Sequence, residues 1–510
     1  MRPHPEPPAT TPVATAHAAP LVATAYGTVR GRPAAHGTLA FLGIPYAAPP
    51  LGAARFAAPE PPAPWDGVRD ASAHGPTAPQ APRAFGSLDM RPYFGPGWVR
   101  GTDYLAVNVW TPAPGRSGLP VMVFVHGGGF VAGSPRAPLL DGAAFARDGV
   151  VLVTVGYRLG IPGFLDLPGA PANRGLLDVV AALRWVRENI AGFGGDPALV
   201  TLFGQSAGAT IVGGVLAAPE ARGLVRRAIV QSGNGLGAFS PEQAARVTRA
   251  AADRLGVPAR ADAFAEISDE RLVAAASRLG GLDLRTARHR DPLLGLSPFS
   301  LVLDTQPARA LPTPAPGLLI GTNSEEGNLY SVPFGTYASD TAADVLATAR
   351  AAHPEPARLL AHYAETRPGA TPGETRAAVR GAALFQAGSR ALAEAAAAAE
   401  SPPYVYEFTW RSHALGGDLG AAHAVELPFV FDLAHLPALH GRTALLGPDA
   451  PPAELARRTH AAWVAFARTG NPGWAPYEAE RRTTMRIGAE WSPAEDPHAR
   501  ERRVWSERKG

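Results

Sequence analysis

Residues 204–208 read Gly-Gln-Ser-Ala-Gly and match the G-x-S-x-G pattern of a nucleophilic serine. A serine on such a turn can attack an acyl carbonyl, and the glycines prevent clashes where the backbone bends sharply. The apolar run 199–203 before it and the small residues after it fit a strand followed by a helix. The alternative is a serine that merely caps a helix. The pattern and its context favour Ser206 as a nucleophile.

A second segment, His-Gly-Gly-Gly-Phe at residues 126–130, directly follows the apolar run 120–125. The amides of Gly128 and Gly129, with that of Ala207 after the serine, can stabilise the oxyanion that an attacking serine creates. A flexible loop or a phosphate cradle is the alternative, but no Lys-Ser or Lys-Thr follows the glycines, as a P-loop requires. The two segments together predict acyl transfer.

The elements that must position these loops are buried strands alternating with helices. Val179, Leu183, Val186 and Ile190 lie on one face of a helix predicted over 175–191. A strand–helix–strand order predicts an α/β fold with a mainly parallel central sheet and helices on both faces. An antiparallel hairpin or meander is predicted over 21–44. The predicted strands are 120–125, 150–157, 199–203, 228–230, 318–320 and 404–410.

The chain has 510 residues, which by length alone suggests two to four domains, although α/β folds with insertions can be this long. We interpret residues 1–20, rich in Pro, Ala and Thr, as a disordered extension and 21–505 as a single domain. Ala-rich helical sequence around 236–300 and 335–400 predicts insertions that form a cap over the sheet.

Composition excludes several functions. The chain has no cysteine, so disulfides, thiolate metal sites and a cysteine nucleophile are excluded. Its formal charge is +3 and no dense Lys/Arg run occurs, which argues against nucleic acid as a partner. No apolar run is long enough to span a bilayer and no signal peptide is recognised. We therefore expect a cytoplasmic monomer with no cofactor or metal, acting on a small molecule.

Further segments occur in an order that resembles the type-B carboxylesterases, the family that includes cholinesterases and bacterial para-nitrobenzyl esterases. The resemblance extends from about residue 20 to the C-terminal tail. Besides the two segments above, it is carried by FLGIPYA at 41–47, RF at 55–56, LAVNVW at 105–110, NI at 189–190, FGGDP at 193–197, QSG at 231–233, GTNSEEG at 321–327 and HAVELPFVF at 423–431.

This resemblance implies an α/β-hydrolase fold and completes a catalytic triad. The chain has 14 histidines, and spacing alone does not distinguish them. The family's catalytic histidine begins the last segment and corresponds to His423. Its acid corresponds to Glu326, whereas the neighbouring Glu325 is interpreted as structural. The order Ser, Glu, His is that of α/β hydrolases.

The resemblance also assigns supporting residues. Ser232 is placed behind the triad and hydrogen-bonded within it, although a simple turn residue is an equal alternative. Gln205 lies beside the nucleophile. Arg158 and Asp178 resemble a buried ion pair of the family, with a role in the scaffold.

The sequence departs from the family at three places. Thr102-Asp103-Tyr104 replaces the usual Glu-Asp-Cys, so Arg55 loses its usual partner and the preceding loop should be held differently. Gln205 replaces the Glu of cholinesterases, and Trp98 aligns poorly with their cation-binding tryptophan. We therefore expect uncharged carboxylic esters with small to medium groups as substrates, not choline esters.

Two alternatives remain open. The same triad could serve a lipase, an amidase or carbamate hydrolase, or an acyltransferase, because the pocket sets the substrate. Some members of the fold have lost the nucleophile and act as binding partners. The presence of Ser206, Glu326 and His423 argues against that second alternative.

Overall fold

A computed structural model describes residues 19–312, 315–399 and 401–506. The predicted N-terminal extension, 1–20, lies outside the described residues except for residues 19 and 20. The strands in the described part of the chain are β1 (Leu21–Thr24), β2 (Gly27–Arg30), β3 (Arg32–Pro33), β4 (Leu39–Pro45), β5 (Val68–Asp70), β6 (Ala106–Thr111), β7 (Leu119–Val125), β8 (Val151–Val155), β9 (Gly195–Gln205), β10 (Arg227–Gln231), β11 (Gly317–Asn323), β12 (Tyr404–Phe408), β13 (Thr483–Ile487) and β14 (Trp491–Glu495).

Eleven of these strands form one sheet in the order β14-β13-β12-β11-β10-β9-β7-β8-β6-β4-β3. From β8 through β13 every neighbouring pair is parallel. The outer pairs, β13 with β14 on one side and β8-β6-β4-β3 on the other, are antiparallel. The predicted mainly parallel α/β sheet is confirmed. The hairpin or meander predicted over 21–44 anticipated antiparallel strands at one edge, whereas the antiparallel pair of β13 and β14 at the other edge was not predicted.

The start of the chain differs from the prediction. The expected hairpin forms between β1 and β2, but it belongs to a separate three-stranded sheet with β5. Only β3 and β4 join the edge of the large sheet.

Helices cover both faces of the large sheet. They are α1 (Arg91–Phe94), α2 (Ala143–Arg147), α3 (Gly160–Phe164), α4 (Arg174–Asn189), α5 (Ala207–Ala217), α6 (Pro241–Leu255), α7 (Ala261–Ala265), α8 (Asp269–Ala276), α9 (Thr336–Ser339), α10 (Ala342–Ala352), α11 (Pro356–Thr366), α12 (Pro372–Gly381), α13 (Ala387–Ala398), α14 (Leu427–Val430), α15 (Ala453–Thr469) and α16 (Ala499–Ser506). A π-helical turn, Ala382–Gln386, joins α12 to α13.

The two hydrophobic layers follow the alternation of side chains along the strands. In β7, Val123 and Val125 pack with α4 and α5, whereas Met122 and Phe124 pack on the opposite face with α2 and α15. Successive side chains of a strand point to opposite faces, so a strand covered on both sides is apolar throughout. This explains why the apolar run 120–125 identified β7.

The helical segments predicted around 236–300 and 335–400 contain α6 to α8 and α9 to α13. Ser240 caps α6 by accepting a hydrogen bond from the Gln243 amide, and Thr371 caps α12 in the same way through Glu374. Their interpretation as a cap on a single domain stays a prediction. Among the described residues, no helix combines the length and apolar character needed to cross a membrane.

Candidate active site

The candidate nucleophile lies where β9 ends and α5 begins. Ser206 has φ 58° and ψ −126°, a conformation that L-residues rarely adopt. A Cβ at Gly208 would lie 2.1 Å from the Val125 carbonyl oxygen, and one at Gly204 would lie 2.7 Å from the Gly208 carbonyl carbon. The turn therefore requires both glycines, and the Ser206 amide is anchored by donation to the Gln231 carbonyl at 2.9 Å.

An acid–histidine pair lies in loops after two neighbouring strands, β11 and β12. His423 Nδ1 is 2.6 Å from Glu326 Oε2, and both side chains are buried. The other carboxylate oxygen accepts hydrogen bonds from Ser232 Oγ at 2.5 Å and the Asn323 amide at 2.7 Å. Because a carboxylate faces Nδ1, that nitrogen carries the proton and Nε2 is left with a free lone pair.

The lone pair of the imidazole faces an amide. His423 Nε2 is 3.3 Å from Gln205 Nε2, while Tyr93 donates its hydroxyl proton to Gln205 Oε1 at 2.6 Å. The Gln205 amide thus donates to His423. No hydrogen bond joins Ser206 to His423 among the described residues. Phe385 stacks on the imidazole with centroids 4.1 Å apart, which fixes the plane of the ring.

The glycine loop after β7 borders the same pocket. Gly128 has φ 120° and Gly129 φ 64°, and a Cβ at Gly128 would lie 2.0 Å from the Ala132 carbonyl oxygen. Within the described part of the chain, the amides of Gly128, Gly129 and Ala207 donate to no other residue. All three residues line the pocket that contains Ser206 and His423. They can therefore donate to an oxyanion.

The rest of the pocket wall is mainly apolar. Residues from the long loop before β6, from the helical segments and from the loop after β11 contribute, among them Phe85, Met90, Phe94, Leu296, Leu329 and Phe385. Such a lining suits uncharged acyl and alcohol groups. Trp98 lies outside this wall and stacks against Arg100 instead.

Several residues near the site have structural roles. Burial lowers the pKa of His126 to about 4, so this imidazole is neutral, and it stacks on Tyr157. Glu325 forms an ion pair with Arg411 and accepts a hydrogen bond from the Ala421 amide. These contacts agree with the structural interpretation of Glu325.

The predicted ion pair of the scaffold forms in the interior. Arg158 Nη2 is 2.7 Å from Asp178 Oδ1, and both side chains are almost fully buried. Arg158 also donates to the carbonyls of Arg55 and Ala57. It thereby ties the segment after β4 to the loop that follows β8.

The acidic partner that Arg55 lacks at residues 102–104 is replaced by a carboxylate from a distant part of the chain. Arg55 Nε is 3.4 Å from Asp269 Oδ1 at the start of α8, and its guanidinium also donates to the Ile267 carbonyl at 2.5 Å. Asp103 pairs with Arg69 at 2.6 Å. The loop is therefore held by other ion pairs.

Two ionisable residues at the site, Glu426 and Arg83, were not predicted from the sequence. Glu426 is buried behind the triad, where it accepts hydrogen bonds from Asn323 Nδ2 at 2.8 Å and Gln231 Nε2 at 3.3 Å. Burial, and next the charge of Glu326, raise the pKa of Glu426 to about 7. The position of Glu426 in the segment 423–431, which begins with His423, was the sequence signal that could have placed it near the triad. Arg83 lines the pocket, and no motif pointed to it.

A metal site is a separate question. In residues 19–312, 315–399 and 401–506, no group of three or more His, Asp or Glu side chains is arranged to hold a metal ion.

Comparison with known proteins identifies the family. The model of the carboxylesterase family matches residues 18–505. The chain belongs to the carboxylesterase family. The Bacillus subtilis (strain 168) para-nitrobenzyl esterase is 36% identical over 504 residues, covering 96% of this chain and 99% of that protein. The Pseudarthrobacter oxydans phenmedipham hydrolase is 34% identical over 466 residues, covering 89% and 92%.

Solved structures agree with this assignment. A Geobacillus stearothermophilus carboxylesterase superposes with a TM-score of 0.83 at 36% identity, covering 95% of this chain and 99% of that one. A PNB esterase gives 0.80 at 35% identity with the same coverage. This carboxylesterase is a serine hydrolase of carboxylic esters with the α/β-hydrolase fold, as the resemblance implied. These relatives do not favour the lipase, amidase, acyltransferase or non-catalytic alternatives.

Proposed function

We propose that Ser206, Glu326 and His423 are the catalytic triad of this carboxylesterase and that it hydrolyses uncharged esters with small to medium acyl and alcohol groups. The observation that carries the proposal is the 2.6 Å contact between His423 Nδ1 and the buried Glu326 Oε2, because His423 lines the same pocket as Ser206. A nucleophile and a base that share one pocket, with a third group that orients the base, are typical of nucleophilic catalysis.

Catalysis begins when Ser206 Oγ attacks the ester carbonyl and its proton passes to His423 Nε2. The Gln205 amide, which occupies this lone pair in the free enzyme, must release it first. Glu326 stabilises the imidazolium that forms, and Ser232 holds the carboxylate in place.

The tetrahedral oxyanion accepts hydrogen bonds from the amides of Gly128, Gly129 and Ala207. Each such donor contributes about 3 kcal/mol to lowering the barrier. His423 then returns the proton to the leaving alcohol as the carbon–oxygen bond breaks. Water attacks the acyl-enzyme with His423 again as base, and the acid leaves Ser206.

The test is hydrolysis of p-nitrophenyl butyrate by the wild type and by Ser206→Ala. We expect the variant to lose about 10⁴-fold or more in kcat, because residues of a triad act as a unit. Ser339→Ala, which changes an exposed serine, is the matched control and should retain activity. Undiminished turnover in Ser206→Ala would overturn the assignment. Labelling with an organophosphate, followed by mass spectrometry, should modify Ser206 alone.

We also propose that the enzyme is a monomer in the cytoplasm. Light scattering during gel filtration measures the first, and cell fractionation the second.

A further inference from the structure

Arg83 brings a positive charge to a pocket whose wall is otherwise mainly apolar. Its guanidinium carbon lies 5.8 Å from the ring centroid of Phe85 and 5.7 Å from that of Phe94. The two rings hold the guanidinium by cation–π contacts and fix where it sits. Burial lowers the pKa of Arg83, which shows that the charge is poorly solvated there.

In the part of the chain that the structure describes, this charge has no anionic partner. Among the described residues, Arg83 forms neither an ion pair nor a hydrogen bond, in contrast to Arg158, which pairs with Asp178. No Asp or Glu side chain lines the pocket. Arg83 is partly buried, and contacts with phenylalanine return only part of the hydration that a charge loses on leaving water. The guanidinium therefore has donors available to a ligand.

The position of Arg83 relates this charge to the reaction. A Cβ built on Gly129 would lie 3.7 Å from Arg83 Nη2 and 3.9 Å from Nη1. The guanidinium thus borders the glycine loop whose amides face the oxyanion. Arg83 and Leu296 also line a neighbouring cavity formed by residues 79–83, 159–162 and 272–280. Arg83 therefore lies in the wall that the two cavities share.

We propose that Arg83 binds a carboxylate carried by the substrate, so that the enzyme also hydrolyses half-esters of dicarboxylic acids, whose free carboxylate makes a contact that matched neutral esters lack. This inference rests on the proposed function and widens its substrate class. The planar guanidinium matches a carboxylate and can donate two parallel hydrogen bonds to it.

The chemical step is unchanged for such a half-ester. The bond from Ser206 Oγ to the acyl carbon forms, and the bond to the alkoxy oxygen breaks. The serine proton leaves with the alcohol through His423. Water then releases the dicarboxylic acid, while the carboxylate at Arg83 stays intact.

The test compares monomethyl adipate, an anion, with dimethyl adipate, its neutral match, through kcat/KM measured by methanol release. The ratio of the two values cancels any general loss of activity. In Arg83→Met the ratio of anionic to neutral ester should fall about 10- to 100-fold, the worth of a hydrogen bond to a charged group. Arg83→Lys keeps the charge but not the planar fork, so it should lose less.

Arg91→Met is the matched control, since this arginine is close in sequence but exposed and paired with Asp89. Its ratio should equal that of the wild type. An equal ratio in wild type and Arg83→Met would overturn the inference while leaving the esterase function intact. An equal loss for both esters would also overturn it, because Arg83 would then act on the oxyanion or on the fold.

A binding measurement separates this inference from the proposed function. Calorimetric titration of Ser206→Ala with monomethyl adipate needs no turnover. Monomethyl adipate should bind about 10- to 100-fold more weakly when Arg83→Met is added to Ser206→Ala. Equal affinities would overturn the carboxylate site, whatever the fate of the catalytic assignment.

Discussion

Replacing Glu426 with glutamine removes a titratable group behind the triad. The Glu426 side chain is fully buried, with 0% of its surface exposed. Burial, with the charge of Glu326 as the next cause, raises the pKa of Glu426 from 4.5 to about 7. In the unfolded chain the carboxyl ionises near 4.5, so between these values only the folded state retains the proton. Ionising Glu426 therefore destabilises the fold progressively as pH rises from about 4.5 to 7, and the full cost is present above 7.

The size of the effect follows from the pKa difference. At about 1.4 kcal/mol per pH unit, the full cost is about 3 kcal/mol. Between pH 5 and pH 8.5 the change is about 2 to 3 kcal/mol, or about 2 °C in Tm for a chain of 510 residues. When the pH is raised from 5 to 8.5, we expect the Tm of Glu426→Gln to rise by about 2 °C relative to the Tm of the wild type. A constant offset from altered hydrogen bonds with Asn323 and Gln231 cancels in this comparison.

The assay is differential scanning calorimetry of both proteins across this pH range, at one scan rate. Glu490→Gln, a change at an exposed glutamate, serves as the matched control and should follow the wild type at every pH. His423 and Glu326 face Glu426 and are present in all three proteins. A Tm difference between Glu426→Gln and wild type that is the same at pH 5 and pH 8.5 would refute the reasoning.

Two further predictions concern the residues around His423. Gln205→Glu places a carboxylate where an amide now lies 3.3 Å from His423 Nε2, so the acid limb of the kcat/KM profile for p-nitrophenyl acetate should move up by about 1 to 3 pH units. Gln205→Met controls for loss of the amide, and an unmoved limb in Gln205→Glu would contradict the prediction. Ser232→Ala removes the 2.5 Å hydrogen bond to Glu326, so kcat should fall about 10- to 100-fold at nearly constant KM. If the kcat of that variant equals the wild-type value, Ser232 serves only as a turn residue.

Local sequence patterns predicted the central elements because their causes are local. The strand before Ser206 is apolar since both faces are covered, and the glycines at 204 and 208 are required by contacts of 2.7 and 2.1 Å. The helix predicted over 175–191 is observed as Arg174–Asn189, because its buried apolar residues repeat at helical spacing along the local sequence. Strands β13 and β14 were not predicted. The edge strand β14, which pairs antiparallel with β13, is largely exposed and therefore lacks a continuous apolar run.

Pairing between distant side chains could not be predicted in the same way. The sequence showed that Arg55 lacks the family's acidic partner near residue 102, and we expected the preceding loop to be held differently. Asp269, far along the chain, supplies a carboxylate instead at 3.4 Å. That compensation depends on α8 packing near the segment after β4, which no local pattern encodes. The same limit applies to Arg83: its lack of a carboxylate partner becomes visible only when the whole pocket wall is assembled, and this lack gives the arginine a candidate role in substrate choice.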